Sequence, residues 1–303
     1  MIRLCATFEL GTMKRFLQLI IMCVLVLPEF RCAADPLDNW VRRNPLPTGQ
    51  NLSGVTYGNG LFVAVEANGW VVTSPDGINW TEQSRGLRGV ALAAVAYGNG
   101  SFVGIGDVIT VSHDGVAWTN VWTDSNAGST YAFGLHALTY GNGVFVALSR
   151  YSIATSEDSF AHWVSRSSGT QDYLSAIAFG NGLFVAVGKL AGTILTSTNG
   201  TNWNNQGSMT NTLSVIAYGN GRFVAGGYAY NGNTNVVTFF TSTNGTNWTK
   251  STPVAGRVSS ITFGNGQFVA VGDTATFTSS DGVNWNSGNL PTHLSMNSFS
   301  SAA

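Results

Sequence analysis

The stretch FGNGLFVAVGKLAGTILTSTNGTNW, Phe179 to Trp203, carries two Asn-Gly pairs, at 181–182 and 199–200. Asn and Gly both accept the positive φ of a type I′ turn, so the first pair reads as a two-residue hairpin joining two strands. Leu174–Phe179 alternates apolar and small residues and reads as strand A. Leu183–Val187 is apolar almost throughout, as a strand covered on both faces is, and reads as strand B. Thr193–Thr196 is strand C, Ser197–Gly200 turns again, and Trp203 opens strand D. Four short antiparallel strands cannot cover both of their own faces. Copies stacked around an axis can.

The copies are there. An aromatic followed by Gly-Asn-Gly recurs at Tyr57, Tyr97, Tyr140, Phe179, Tyr218 and Phe263, at spacings of 40, 43, 39, 39 and 45. A tryptophan follows in each copy, at Trp80, Trp118, Trp163, Trp203, Trp248 and Trp285. Periods near 40–50 belong to propellers and solenoids, and no segment shows a 3.6-residue apolar period over helical length. The expected fold is an all-β propeller of four-stranded antiparallel blades. Six complete copies favour six blades. Trp40 resembles one more strand D, and the tail from His293 has room to begin a strand A, so seven blades with an incomplete last one is the alternative.

The expected domain layout is a leader over residues 1–34 and one propeller over 35–303, with repeats starting near 50, 90, 134, 173, 212 and 257. Met13-Lys14-Arg15, the uncharged apolar run Phe16–Leu27 and Cys32-Ala33-Ala34 form the three-part pattern of a secretory signal peptide, with Met13 an alternative start. The run is shorter than the ~20 residues of a membrane span, which leaves an uncleaved anchor as the lesser reading. Cys5, Cys23 and Cys32 all fall in the leader, so the chain from Asp35 has no thiol. About 270 residues suffice for a core without disulfides. The expected location is secreted, periplasmic or on the cell surface, with no membrane insertion after cleavage, and a monomer is expected.

Charged residues make up 10% of the chain and the net charge is −1. A nucleic-acid partner needs a basic patch, and none is visible. Gly-Asn-Gly joins strand to strand and is no phosphate loop, and no metal-ligand spacing occurs, so no cofactor is expected.

The C–D turn carries a family likeness. Ser74-Pro-Asp76-Gly77-Ile-Asn-Trp80, Ser112-His-Asp114-Gly115-Val-Ala-Trp118 and Ser279-Ser-Asp281-Gly282-Val-Asn-Trp285 resemble the Asp-box, or BNR, repeat of sialidase-type propellers, over residues 50 to 290. Most copies are one residue shorter than the family pattern. Asn199 and Asn244 replace Asp in two of them, and the copy at Asp158 keeps the longer spacing without the Gly. The six box residues Asp76, Asp114, Asp158, Asn199, Asn244 and Asp281 read as structural, because short polar side chains close such turns and boxes spread around a ring cannot converge. The likeness implies a sialidase-like glycoside hydrolase as the alternative function. Against it, the Arg-Ile-Pro signature is absent, and Asp107 and Asp273 are the one cross-blade acid pair that can be named. No catalytic residue is assigned.

Successive strands reverse direction, so the A–B and C–D turns share one face of the ring and the B–C hairpins share the other with the D–A connectors. The first face is uniform and the second varies. Ten residues after each first anchor stand Ala67, Asp107, Arg150, Lys189, Tyr228 and Asp273. Copies under one folding constraint differ where folding does not dictate the residue, and loops at one end of a scaffold commonly carry sites. Trp70, Asp107, Trp122, Arg150, Lys189, Tyr228, Tyr230 and Asp273 are therefore the candidate ligand-binding residues. Trp122 falls in the connector Val121–Phe133, and Tyr228 and Tyr230 in the long insertion Tyr228–Asn235. Rings with Asp and Asn suit a glycan, a cell-envelope component or a protein. A purely structural ectodomain fragment is the third reading. Export is checked by mass spectrometry of the released protein, where the expected N-terminus is Asp35; an intact leader in the membrane fraction would show an anchor instead.

Overall fold

The structure, a computed structural model, describes residues 52–83, 87, 89–123, 134–158, 162–209, 211–230, 232, 235–273 and 275–289. They form six blades of a β-propeller. Blade 1 holds β1 (Leu52–Gly58), β2 (Leu61–Glu66), β3 (Val71–Ser74) and β4 (Thr81–Glu82). Blade 2 holds β5 (Leu92–Gly98), β6 (Ser101–Gly106), β7 (Val108–Ser112) and β8 (Thr119–Thr123). Blade 3 holds β9 (Ala137–Gly141), β10 (Val144–Leu148), β11 (Ser152–Ser156) and β12 (Val164–Ser167). Blade 4 holds β13 (Leu174–Gly180), β14 (Leu183–Gly188), β15 (Thr193–Ser197) and β16 (Asn204–Ser208). Blade 5 holds β17 (Thr212–Gly219), β18 (Arg222–Tyr230), β19 (Asn235–Ser242) and β20 (Thr249–Lys250), with β21 (Val254–Ala255) added on β19. Blade 6 holds β22 (Ser260–Gly264), β23 (Gln267–Val271), β24 (Ala275–Ser279) and β25 (Asn286–Asn289). Each blade is an antiparallel meander in chain order. No helix among the described residues is long and apolar enough to cross a membrane.

The first strand of every blade is innermost, and the six together line a central channel. The Asn-Gly turns that follow take the positive φ their sequence requires, Asn181 at 49° and Gly182 at 73°. In blades 2 to 5 the second strand is buried on both faces because a blade packs on each side of it, while that of blade 6 alternates. Phe102, Phe145, Phe184, Phe223 and Phe268 lie there fully buried. Each such ring contributes roughly 2–3 kcal/mol of burial.

Blades interlock through a ring seated on a glycine. The Tyr218 ring of blade 5 lies flat over Gly180 of blade 4, where an added Cβ would stand 2.0–2.4 Å from ring carbons. Tyr97 on Gly58, Tyr140 on Gly98, Phe179 on Gly141 and Phe263 on Gly219 repeat the seat. The glycine after each first anchor is thus required by close approach and not by φ. The next glycine, at the turn, has the opposite reason: Gly182 has nothing within 4 Å but a φ of 73°. Gly180→Ala should therefore cost about 3 kcal/mol or more by overpacking, and Gly182→Ala only about 1 kcal/mol of backbone strain. Urea melts that returned equal costs would refute the seat.

Candidate functional site

The inner strands begin at the face that carries the B–C hairpins. Their starts are tied together just inside that rim. Ser53 Oγ donates to the Leu92 carbonyl of the next blade at 2.6 Å, and Ser175 Oγ donates to that of Leu213 at 2.7 Å. In blade 3 the same position is His136, whose Nε2 lies 2.9 Å from the Leu174 carbonyl while Nδ1 lies 2.9 Å from that of Gly134. One ring nitrogen faces a carbonyl of blade 4 and the other a carbonyl of its own connector, which places His136 as a strut between blades.

The rim encloses a cavity of about 740 Å³ to which all six blades contribute. Asp107 and Asp273 stand on blades 2 and 6, either side of Ala67 on blade 1. His136, Tyr173, Lys189, Tyr228 and Arg257 line the remainder. Acidic groups thus flank blade 1, Lys189 lies across the mouth on blade 4, and Arg257 enters at the start of blade 6, the blade of Asp273. The Arg257 guanidinium lies over the Tyr228 ring at 5.2 Å, and that of Arg150 over Tyr173 at 5.3 Å, both within cation–π range. The two acids also serve the backbone: Asp107 Oδ2 accepts from the Ala91 N–H at 3.1 Å, and Asp273 Oδ1 from Ser259 Oγ at 3.4 Å.

A buried carboxylate sets the position of Lys189. Asp172 accepts from the N–H groups of Leu190, Ala191 and Thr193 at 2.8–3.1 Å, closing the hairpin that Lys189 begins. Burial pushes its carboxyl up, but these N–H donors outweigh burial and hold it below the usual carboxylate range. The Lys189 N–H in turn donates to the Tyr173 carbonyl at 2.7 Å.

Asp107, Lys189, Tyr228 and Asp273 of the sequence candidates meet at this mouth. Arg150 reaches it only through Tyr173. Trp70 is half-buried in its hairpin and does not line the cavity. Two expectations are corrected. Trp122 lies not in a connector but in β8, the outermost strand of its blade, paired with Ile109; its side chain, like Tyr131, lies outside the described residues. Tyr228–Asn235 is not a loop insertion: Tyr228 pairs with Val237 and Tyr230 with Asn235, because extending the hairpin satisfies backbone groups that a loop would leave to water. The Tyr230 side chain lies outside the described residues. Sequence reasoning missed Tyr173, His136 and Arg257. His136 was legible as an odd member of the column that holds Ser53 and Ser175.

The box side chains hydrogen-bond within their own turns. Asp76 Oδ1 accepts from the N–H groups of Ile78 and Asn79 at 2.8 and 2.7 Å, and Ser74 Oγ from that of Gly77 at 2.9 Å. The Trp80 indole donates to the Gly77 carbonyl at 3.1 Å. Asn199 and Asn244 reproduce the arrangement. Blade 3 lacks the glycine. Its Trp163 indole nitrogen is buried without a partner among the described residues, and Asp158 instead meets His162.

No family model and no curated protein matches the chain. Solved structures do. YCF48 from Cyanidioschyzon merolae superposes with a TM-score of 0.61 at 15% identity, over 83% of this chain and 88% of that one. YCF48 bound to a D1 peptide gives 0.60 at 15%, over 80% and 83%. A catalytically inactive virginiamycin B lyase from Staphylococcus aureus with quinupristin gives 0.65 at 14%, over 82% and 87%. At such identities the likeness is one of propeller fold and of nothing narrower.

The boxes make stability depend on acid. N–H donors from Asn79 and Ile78 hold the Asp76 carboxyl well below the usual range, as those of Ala117 and Val116 do for Asp114. At Asp281 burial opposes the shift and the N–H groups of Asn284 and Val283 overcome it. Folded values below the unfolded value of about 3.9 give a stabilisation complete above about pH 4 and lost as pH falls further. Replacing Asp76, Asp114 and Asp281 together by Asn should flatten the decline of Tm below about pH 4 in calorimetry. An unchanged decline would place the acid-labile groups elsewhere.

Proposed function

We propose that this chain is an exported, non-catalytic propeller module that binds a segment of another protein at the mouth of its channel. The observation that carries this reading is the polarity of the mouth. Acids on blades 2 and 6 share a cavity of about 740 Å³ with Lys189 and Tyr173 of blade 4, Tyr228 of blade 5 and Arg257 at the start of blade 6. That volume is within the range of about 300–1,000 Å³ usual for ligand sites. A peptide offers both charges and apolar side chains along one chain and meets each kind of group in such a mouth. A neutral glycan has no use for opposed charges. The propeller of YCF48, which has a structure with a D1 peptide, supports the reading by analogy of fold. The acids and His136 at this mouth also support backbone or hydroxyl groups of the rim.

The test is selection of random linear peptides on the purified chain, with a glycan array and fluorogenic glycosides in parallel. Selected peptides should carry both charges and bind more weakly as salt rises. Tyr228→Ala should weaken them by roughly 1–3 kcal/mol, the range of an aromatic anchor. Asn220→Ala, on the opposite face, should leave affinity unchanged. Glycan binding without peptide binding, or glycoside turnover, would overturn the proposal.

A further inference from the structure

Two hairpin tips on the mouth face hold apolar side chains out in water. Leu190, in the turn from β14 to β15, is 68% exposed, and Tyr151, in the turn from β10 to β11 of the blade before, is 52% exposed. A side chain on a loose turn can fold back onto the surface. These turns are fastened. The N–H groups of Leu190 and Ala191 donate to Asp172, itself buried, and the Met209 N–H donates to the Gly192 carbonyl at 2.9 Å. At the other tip the Ser149 N–H donates to the Ser152 carbonyl, and Ser168 Oγ donates to that of Tyr151, both at 2.9 Å.

The two tips are also tied to one peptide unit. The Leu174 N–H donates to the Arg150 carbonyl at 2.9 Å, and the Lys189 N–H donates to the Tyr173 carbonyl at 2.7 Å. The C=O and N–H of one trans peptide point opposite ways, so Arg150 and Lys189 stand on opposite sides of the Tyr173-Leu174 link. Each is next in the chain to its exposed apolar residue. The Arg150 guanidinium lies 5.3 Å from the centre of the Tyr173 ring. The result is a strip across blades 3 and 4, in the order Tyr151, Arg150, Tyr173, Lys189, Leu190. Tyr173 and Lys189 also line the mouth cavity, so the strip is continuous with it.

The charge of the strip has one sign. Arg150 and Lys189 are both exposed. The one acid in the stretches 149–152, 168–174 and 188–193 is Asp172, and both of its oxygens accept from N–H groups. Apolar side chains held in water favour a partner that covers them. Two exposed cations with no exposed acid beside them favour carboxylates.

We propose that this strip is a second subsite, which takes an acidic segment carrying large apolar side chains as that segment leaves the mouth. The proposal rests on the reading of the mouth as a peptide site. It adds the composition of the segment and the blades that the segment crosses.

The full chain with Cys5, Cys23 and Cys32 changed to Ser has no thiol, so one introduced cysteine carries a dye at a chosen point. Acrylodan, whose emission moves to the blue when water is excluded, is attached at Leu190→Cys in the strip, Ala67→Cys at the mouth or Ile78→Cys on the opposite face. The probes are pools of short random peptides: Asp and Glu with Leu, Phe and Tyr; Asp and Glu with Ser and Gly; Lys and Arg with Leu, Phe and Tyr. The acidic apolar pool should shift the dye at 190 and at 67 and leave that at 78 unchanged. The other pools should need roughly tenfold higher concentration, a difference that anisotropy of labelled pools resolves. In the dye-free chain, Leu190→Ser and Tyr151→Ser should each weaken the acidic apolar pool roughly fivefold with Tm unchanged, since both side chains are exposed. A shift at 67 with none at 190, or full affinity in both serine variants, would overturn the strip and leave the mouth reading standing. A shift at 190 with none at 67 would overturn the mouth reading instead. Equal affinity for the three pools would overturn the strip. So would binding to phosphatidylserine vesicles, or self-association in sedimentation, that is lost in Leu190→Ser, because the strip would then serve a membrane or a second copy of the chain.

Discussion

The ring laid on a bare glycine is the contact on which the rest of this structure depends. Tyr218 reaches Gly180 only because no Cβ stands between them, and that approach sets the distance between two inner strands. The distance in turn decides whether Phe184 and its equivalents are sealed from water. Because the interior is close-packed, the seat tolerates no added atom and little displacement. The same contact repeated around the channel fixes where each first strand starts, and so where the rim of the mouth lies.

The second constraint is local. Outside blade 3 each C–D turn closes on its own serine, on Asp or Asn, and on an indole N–H, and the box glycines of blades 2, 4, 5 and 6 also meet the blade before them. Asn199 and Asn244 do this without charge, so hydrogen-bond geometry and not ionisation is what the turn requires. Where the glycine is missing, in blade 3, the cost is visible as an indole nitrogen of Trp163 buried with no partner among the described residues.

With these two constraints met in most blades by the turns and the inner-strand contacts, the mouth is free to differ. One column of the repeat supplies Ala67, Asp107, Lys189, Tyr228 and Asp273 to a single cavity. A scaffold built from near-identical units thereby brings acids, cations and rings to one opening. The fold makes no demand on these residues beyond the support that Asp107 and Asp172 give to their hairpins.

The sequence by itself determined what acts over a few residues. Asn-Gly turns, the box turns and the two-face burial of the second strand follow from backbone preferences and side-chain reach within each copy, and they were legible at Asn181-Gly182 and Ser197–Trp203. The face on which variation gathers was legible too, because strand alternation settles it. Only the tertiary structure decided which variable residues meet. Tyr173 and Arg257 both stand one residue before the apolar anchor of their blade, a column that also brings Ala91 and Gly134 to the cavity, and only the structure shows that this column meets the column of Ala67 and Asp107. Trp122 was misplaced because a strand's end depends on its neighbour's pairing, here with Ile109. The insertion holding Tyr228 and Tyr230 is strand rather than loop, which becomes visible only once Val236 and Val237 are found opposite Ala229 and Tyr228. Such contacts join residues distant in sequence through the packing of whole blades, and no local pattern encodes them.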